Sequence, residues 1–118
     1  MAGLTTHILD LTHGKPANNV KIELYEIVAN NIKAIRKSVV TNADGRLDSP
    51  LLTTAELQQA QYELVFYIGS YFRRKGMDLE EPHFLEEIPV RFVVTNKEEH
   101  YHIPLLVSPW GYQIYRGS

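Results

Sequence analysis

Residues 20–28 read VKIELYEIV, and apolar and polar side chains alternate along them. Side chains two positions apart leave the same face of a β-strand. One face therefore carries Val20, Ile22 and Leu24. This two-residue period predicts a strand with one buried face, and it is the main reason to expect an all-β protein.

The same period recurs on both sides of this stretch. NIKAIRKSVV (31–40) follows the turn-prone pair Asn30-Asn31 and predicts a hairpin with the first run. Further strands are predicted in LTTHILD (4–10), YELVFYI (62–68), IPVRFVVT (88–95), HYHIPLLV (100–107) and YQIYR (112–116). In YELVFYI, the apolar side chains Leu64, Phe66 and Ile68 should face inward. Seven or eight short strands at roughly 10–15-residue spacing are typical of an antiparallel sandwich or barrel.

Helical signals are few. SYFRRKGM (70–77) predicts one short helix, with Ser70 as N-cap and Gly76 at its end. TTAELQQAQ (53–61) is a weaker candidate for a second. Proline cannot donate a backbone hydrogen bond, so Pro89 and Pro104 predict edge strands or bulges.

Length and composition exclude several classes of function. The 118 residues predict a single domain spanning 1–118. A net charge of −2 gives no electrostatic basis for binding nucleic acid. The absence of cysteine excludes disulfides and thiolate metal sites. No signal peptide is visible and the apolar runs are too short for a membrane span, so we expect a cytoplasmic protein.

Histidine and arginine supply the candidate chemistry. His100 and His102 are two apart on a predicted strand and should share a face. A metal site would need a third ligand that no spacing identifies, so we expect no metal. His7 shares a strand face with Thr5, and a lone histidine of this kind is more often structural than catalytic. Arg46 follows the Asp-Gly turn at 44–45, and no phosphate loop or serine-hydrolase elbow is present. These residues alone indicate a β-sandwich with a candidate histidine–arginine pocket.

Three motifs together resemble the 5-hydroxyisourate hydrolase family, the transthyretin-related proteins. They are LTTHILD at the start, TNADGRLD at 41–48 and HYHIPLLVSPWGYQIYRGS at the end, in order and at compatible spacing. The terminal YRGS is the most specific of them. The resemblance implies a transthyretin-like Greek-key β-sandwich with one short helix. It also implies a homotetramer, a dimer of dimers with its active sites at the dimer–dimer interface.

The implied reaction is the hydrolysis of 5-hydroxyisourate to 2-oxo-4-hydroxy-4-carboxy-5-ureidoimidazoline in urate degradation, without a cofactor. Matched to the family's motifs, the catalytic residues are His7, Arg46 and His102, while His100 is not carried over. His7 and Arg46 would also bind substrate, with Tyr115, Arg116, Gly117 and Ser118.

The residue types suit this chemistry. A histidine can take a proton from water at neutral pH, and either His7 or His102 would be that base. Arg46 would stabilise the developing oxyanion. The alternatives are a non-enzymatic carrier of small ligands with the same sandwich, and an interaction module that uses its sheet edges. Neither gives a role to the two histidines, the arginine and an ordered terminus.

Overall fold

The computed structural model describes residues 3–117, which form a sandwich of two four-stranded sheets with one short helix. The prediction of an all-β sandwich with a single helix is confirmed. In chain order the elements are β1 (Gly3–Asp10), β2 (Lys15–Pro16), β3 (Lys21–Ile27), β4 (Lys33–Val40), β5 (Ala60–Phe66), α1 (Ile68–Arg74), β6 (Ile88–Val94), β7 (His100–Ser108) and β8 (Gly111–Ile114), with a 3₁₀ turn at Ala29–Asn31.

The strands are ordered β2-β1-β7-β8 in one sheet and β4-β3-β5-β6 in the other. The hairpin of β3 and β4 is present as expected, and within residues 3–117 all strand pairs but one are antiparallel. The exception is β1 with β7, which run parallel. The predicted antiparallel sandwich therefore contains one parallel pair. These two strands are about 95 residues apart in the chain, so no tight turn dictates their relative direction.

The core lies between the sheets and is built from alternate strand positions. The predicted inward face of Val20, Ile22 and Leu24 is confirmed, since all three are essentially inaccessible to solvent. The same holds for Leu64 and Phe66 on β5. Each fully buried side chain of this size contributes about 1.5–3 kcal/mol to folding relative to an exposed one. The buried side chains on the inner faces of the strands thus supply much of the stability of the fold. The side chains on the outer faces can serve other functions.

The helix begins earlier than the sequence suggested. It starts at Ile68 after Tyr67, so Ser70 is not its N-cap, and Ile68 belongs to the helix instead of the preceding strand. Ile68, Tyr71 and Phe72 are all buried, and their i, i+3, i+4 spacing turns one helical face into the core. Gly76 follows the helix with a φ of +70°, which fits the predicted end.

The weaker helix candidate over residues 53–61 does not form a helix. One hydrogen-bonded turn forms here, with the Leu57 amide donating to the Thr53 carbonyl, and β5 begins at Ala60. Within this turn Leu57 alone reaches the core, because the residues around it are exposed. A single buried side chain does not provide the apolar stripe that stabilises a longer helix.

The two strand prolines differ in position. Pro89 lies on β6, an edge strand, as expected. Pro104 lies on β7, between β1 and β8, so the edge prediction was wrong there. The β7–β8 register sets Pro104 opposite Tyr115, and the ladder stops at Ile114 before one further bridge between His102 and Gly117. Because proline has no N–H, the ladder is interrupted at this point and the last residues run on as a separate tail.

Residues 3–117 contain no helix long and apolar enough to cross a membrane.

Candidate active site

The candidate site lies on the outer face of the β2-β1-β7-β8 sheet. The parallel register of β1 and β7 aligns Thr5 with His102 and His7 with Pro104. Since Leu4, Thr6 and Ile8 are buried on the opposite side of β1, Thr5 and His7 face outward. His100 and His102 share this face as predicted, with ring centroids 6.3 Å apart and planes inclined by 12°.

Arg46 reaches this face from the loop that follows β4. The Asn42 side-chain oxygen accepts hydrogen bonds from the amides of Asp44 and Arg46, which closes the turn. Gly45 has a φ of +71°, and its carbonyl accepts the Ile8 amide at 2.8 Å. A Cβ at Gly45 would lie only 2.4 Å from the Ile8 carbonyl oxygen, so glycine is required here. The loop is therefore fixed against β1, next to His7.

A cavity of about 330 Å³ opens between residues 46–50 of this loop and the two strands. Its walls include Thr5, Arg46, His100 and His102. The volume falls at the small end of the range for small-molecule sites. His7 lies beside the cavity and close enough for electrostatic interaction with Arg46 and His102. The structure thus brings together the three residues that the sequence nominated as catalytic.

Burial and Arg46 hold both histidines in the neutral form at neutral pH. Burial lowers the pKa of His102 from its ordinary value, and the charges of Arg46, His100 and His7 lower it further. Burial also lowers the pKa of His7, followed by the Arg46 charge, while a backbone hydrogen bond to Asp44 opposes the shift in part. A neutral imidazole has one nitrogen lone pair that can accept a proton.

The Arg46 guanidinium has no hydrogen bond or ion pair with any other residue in the range 3–117. Its side chain is exposed at the cavity. An arginine held without a protein partner retains its donors for an anionic or carbonyl oxygen of a ligand.

Thr5 and His100 are part of the site although the sequence reasoning did not nominate them. The Thr5 hydroxyl lies 2.8 Å from Nδ1 of His102 and 3.2 Å from Nε2 of His100. The His-x-His spacing on a strand was the available signal for His100. Nothing in the sequence pointed to Thr5, because the contact depends on the parallel pairing of β1 with β7.

The C-terminal tail is attached to the site at His102. The Gly117 amide donates to the His102 carbonyl at 2.7 Å. A Cβ on Gly117 would lie 2.8 Å from the ring atom Cδ2 of His102 and 3.3 Å from Pro104. The tail therefore packs directly on the histidine. The expectation for Ser118 falls outside the described residues.

Tyr115 and Arg116 do not reach the cavity of this chain. Tyr115 is half exposed. The Arg116 guanidinium lies 4.0 Å from the centroid of the Tyr101 ring and donates to Glu99 and to the His100 carbonyl. Arg116 thus ties the tail to the start of β7.

The other two histidines have partners elsewhere. Nδ1 of His13 lies 2.6 Å from the buried carboxylate of Asp10, and Nε2 of His83 lies 3.0 Å from Glu81. Across residues 3–117, no group of three or more histidine, aspartate or glutamate side chains is arranged to hold a metal ion.

Comparison with known proteins agrees with this architecture and these motifs. The family model described as "HIUase/Transthyretin family" matches residues 4–117. The chain belongs to the HIUase/Transthyretin family. The resemblance inferred from the three sequence motifs is thereby confirmed. A family relative from Rhizobium meliloti (strain 1021), named 5-hydroxyisourate hydrolase 2, is 50% identical over 98% of this chain and 95% of its own length.

Two solved structures are similar in fold to this chain. The crystal structure of an (S)-allantoin synthase has a TM-score of 0.91 and 42% identity over 99% of this chain. This chain spans 44% of that longer protein. Transthyretin from Sparus aurata has a TM-score of 0.86 at 24% identity, over 99% of this chain and 97% of its own, which shows the fold alone. The predicted transthyretin-like sandwich is confirmed.

Proposed function

We propose that this chain hydrolyses 5-hydroxyisourate to 2-oxo-4-hydroxy-4-carboxy-5-ureidoimidazoline, a step of urate degradation. The observation that carries the proposal is the cluster of Arg46, His102 and nearby His7 at one small cavity, where the Arg46 guanidinium has no partner among residues 3–117 and the pKa of both histidines is lowered. The relative named 5-hydroxyisourate hydrolase 2, with half of its residues identical over nearly the whole chain, supports the same reaction.

In this proposal the three residues divide the chemistry of adding water to a ring carbonyl. A neutral histidine, His7 or His102, takes a proton from water as the water oxygen bonds to the carbonyl carbon. Arg46 stabilises the oxygen that becomes negative. A donor in this position contributes on the order of 3 kcal/mol to lowering the barrier. The ring C–N bond then breaks, and the protonated histidine returns its proton to the leaving nitrogen.

The second part of the proposal concerns assembly. We propose a homotetramer, a dimer of dimers with this cavity at the dimer–dimer interface. Tyr115 is half exposed and lies outside the cavity of its own chain, so a role in binding substrate requires a neighbouring copy. Arg116, Gly117 and Ser118 would complete the tail of such a shared site. The single domain over 1–118 and the cytoplasmic location stay predictions.

A coupled assay tests the activity. Urate oxidase generates 5-hydroxyisourate in the cuvette, and its ultraviolet decay is followed with and without the protein. We expect clear acceleration over the spontaneous reaction, a loss on the order of 100-fold for Arg46→Ala, and wild-type rates for the matched control Arg36→Ala on β4. Decay at the spontaneous rate would overturn the hydrolase assignment and favour the carrier alternative.

Sedimentation tests the assembly independently of activity. The proposal requires the mass of four 13.5-kDa chains. A stable, active monomer would show that the site is complete within one chain and would overturn the shared-site proposal.

A further inference from the structure

The Thr5 hydroxyl connects the two histidines of β7. Its oxygen lies within hydrogen-bond distance of Nδ1 of His102, at 2.8 Å, and of Nε2 of His100, at 3.2 Å. A hydroxyl has one hydrogen to donate, and its oxygen has two lone pairs that can accept. If both imidazoles donated to Thr5, the hydroxyl hydrogen would have no acceptor among residues 3–117, where these two contacts are the only side-chain hydrogen bonds of Thr5. Two arrangements remain, in which Thr5 donates to one imidazole and accepts from the other.

In the first arrangement His100 donates from Nε2 to Thr5, and Thr5 donates to Nδ1 of His102. His102 in its neutral form then carries its hydrogen on Nε2. In the second arrangement every direction is reversed. His102 donates from Nδ1, Thr5 donates to His100, and His100 carries its hydrogen on Nδ1.

The burial of His100 Nδ1 decides between them. This atom is inaccessible to solvent and has no hydrogen-bond partner in the range 3–117. The second arrangement would place an N–H there with nothing to receive it. A buried donor without an acceptor is rare in folded proteins and costs its full desolvation penalty. The first arrangement leaves only a lone pair at this atom, the more tolerable state.

We propose that Thr5 and His100 are positioning residues that keep the hydrogen of neutral His102 on Nε2. This inference rests on the proposed hydrolase function and narrows it. His102 then enters the reaction as a hydrogen-bond donor toward a substrate oxygen, together with Arg46. The base is then His7, which lies close enough to Arg46 and His102 for electrostatic interaction.

The surroundings keep His102 in the neutral form that this requires. Burial lowers its pKa, and the positively charged or titratable groups that influence it are Arg46, His100 and His7. No carboxylate is hydrogen-bonded to its ring in the range 3–117. The Nδ1 lone pair that accepts the Thr5 hydroxyl is therefore available at neutral pH.

Nitrogen NMR of the histidine rings tests the tautomer directly, without reference to activity. In wild-type protein labelled with ¹⁵N, we expect His102 to show an unprotonated Nδ1 and a protonated Nε2 at neutral pH. Thr5→Ser retains the hydroxyl and should leave this pattern unchanged. Thr5→Val removes it while keeping the shape of the side chain, and should shift His102 toward a mixture of tautomers. Thr12→Val, in an exposed loop, is the control for the substitution itself.

Kinetics in the coupled assay test the consequence. Groups that hydrogen-bond to the far nitrogen of a metal-binding imidazole commonly account for 10- to 100-fold in activity, and we expect a similar range for this metal-free imidazole. We expect kcat to fall roughly 10-fold or more in Thr5→Val and to be restored to within about threefold in Thr5→Ser. His100→Gln preserves an N–H donor and should retain more kcat than His100→Leu.

The two readouts separate the possible failures. A wild-type His102 with its hydrogen on Nδ1 would overturn the positioning role, whatever the activity. So would a Thr5→Val protein with unchanged ring spectra and unchanged kcat. A wild-type protein that shows the expected tautomer but does not hydrolyse 5-hydroxyisourate would overturn the proposed function and support the positioning contacts alone.

Discussion

Replacing Gly117 by alanine tests whether the tail acts on the site through His102. The Gly117 amide is hydrogen-bonded to the His102 carbonyl. The added Cβ would lie 2.8 Å from Cδ2 of the His102 ring, where ordinary contacts begin at 3.4 Å. About 0.6 Å must therefore be recovered by moving the ring, the tail or both.

The expected loss follows from that displacement. The ring is held by Thr5 on one side and by the tail on the other, so a shift of Gly117 against it misplaces His102 in the cavity. A misplacement of about 1 Å at a reacting group costs on the order of 100-fold in rate. For the smaller displacement here we expect kcat/KM to fall on the order of 10-fold.

Stability should change little in this variant. One bridge binds Gly117 to β7, and a segment held by so few backbone bonds can open locally without unfolding the core. We expect Tm to stay within about 2 °C of wild type. Gly111→Ala is the matched control. It lies in the same C-terminal segment, its φ is not positive, and no atom lies within 4 Å of its Cβ position.

The coupled urate oxidase assay and thermal unfolding measure both quantities on the three proteins. Wild-type kcat/KM in Gly117→Ala would refute the idea that the tail positions His102. An equal loss of kcat/KM in Gly111→Ala would show that any added side chain in this C-terminal segment lowers activity, without a specific role for the contact with His102. A large fall in Tm for Gly117→Ala alone would show that the tail supports the fold instead of the site.

Three further predictions concern the pKa values of the two histidines, the loop at Gly45 and the buried carboxylate of Asp10. Burial and the Arg46 charge lower the pKa of both histidines below 6.5, so the acid limb of the plot of kcat/KM against pH should lie below pH 6.5. Arg46→Gln removes the charge, so the acid limb of its residual activity should shift to higher pH. Gly45→Ala places a Cβ 2.4 Å from the Ile8 carbonyl oxygen at a φ of +71°, and should cost at least about 2 kcal/mol, measured as a fall of roughly 10 °C in Tm. Although burial raises the pKa of Asp10, hydrogen bonds from Tyr71 and its own loop lower it overall, so its contribution to stability is present above about pH 4 and is lost below. Asp10→Asn should lower stability by about 2 kcal/mol at pH 7 and flatten the acid dependence of urea unfolding.

Most of the strands could be predicted from the sequence because their signal is local. Alternation identifies the buried face of β3 from Val20, Ile22 and Leu24 without knowledge of any partner strand. The limits of α1 could not be predicted in this way. Ile68 continues the alternation of β5, and only its packing against the core shows that the chain has already turned into a helix.

The site was predictable in its residue types and less so in its contacts. His7, Arg46 and His102 were nominated by motif, and the fold places Arg46 and His102 in the cavity wall with His7 close to both. The bridging role of Thr5 and the involvement of His100 depend on the parallel register of two strands almost a whole chain apart. Long-range register is set by the packing of the complete sandwich, so no local pattern reveals it.

The alternation along β1 has an evolutionary consequence. Leu4 and Ile8 face the core, whereas Thr5 and His7 lie on the outer face, where Thr5 lines the cavity. Selection for a stable sandwich therefore acts on one set of codons and selection for chemistry on the other. A duplicated gene can exchange the outer set for new side chains while the inner set keeps the protein folded. The core of the sandwich can therefore stay unchanged while a few substitutions on one surface change the ligand or the reaction.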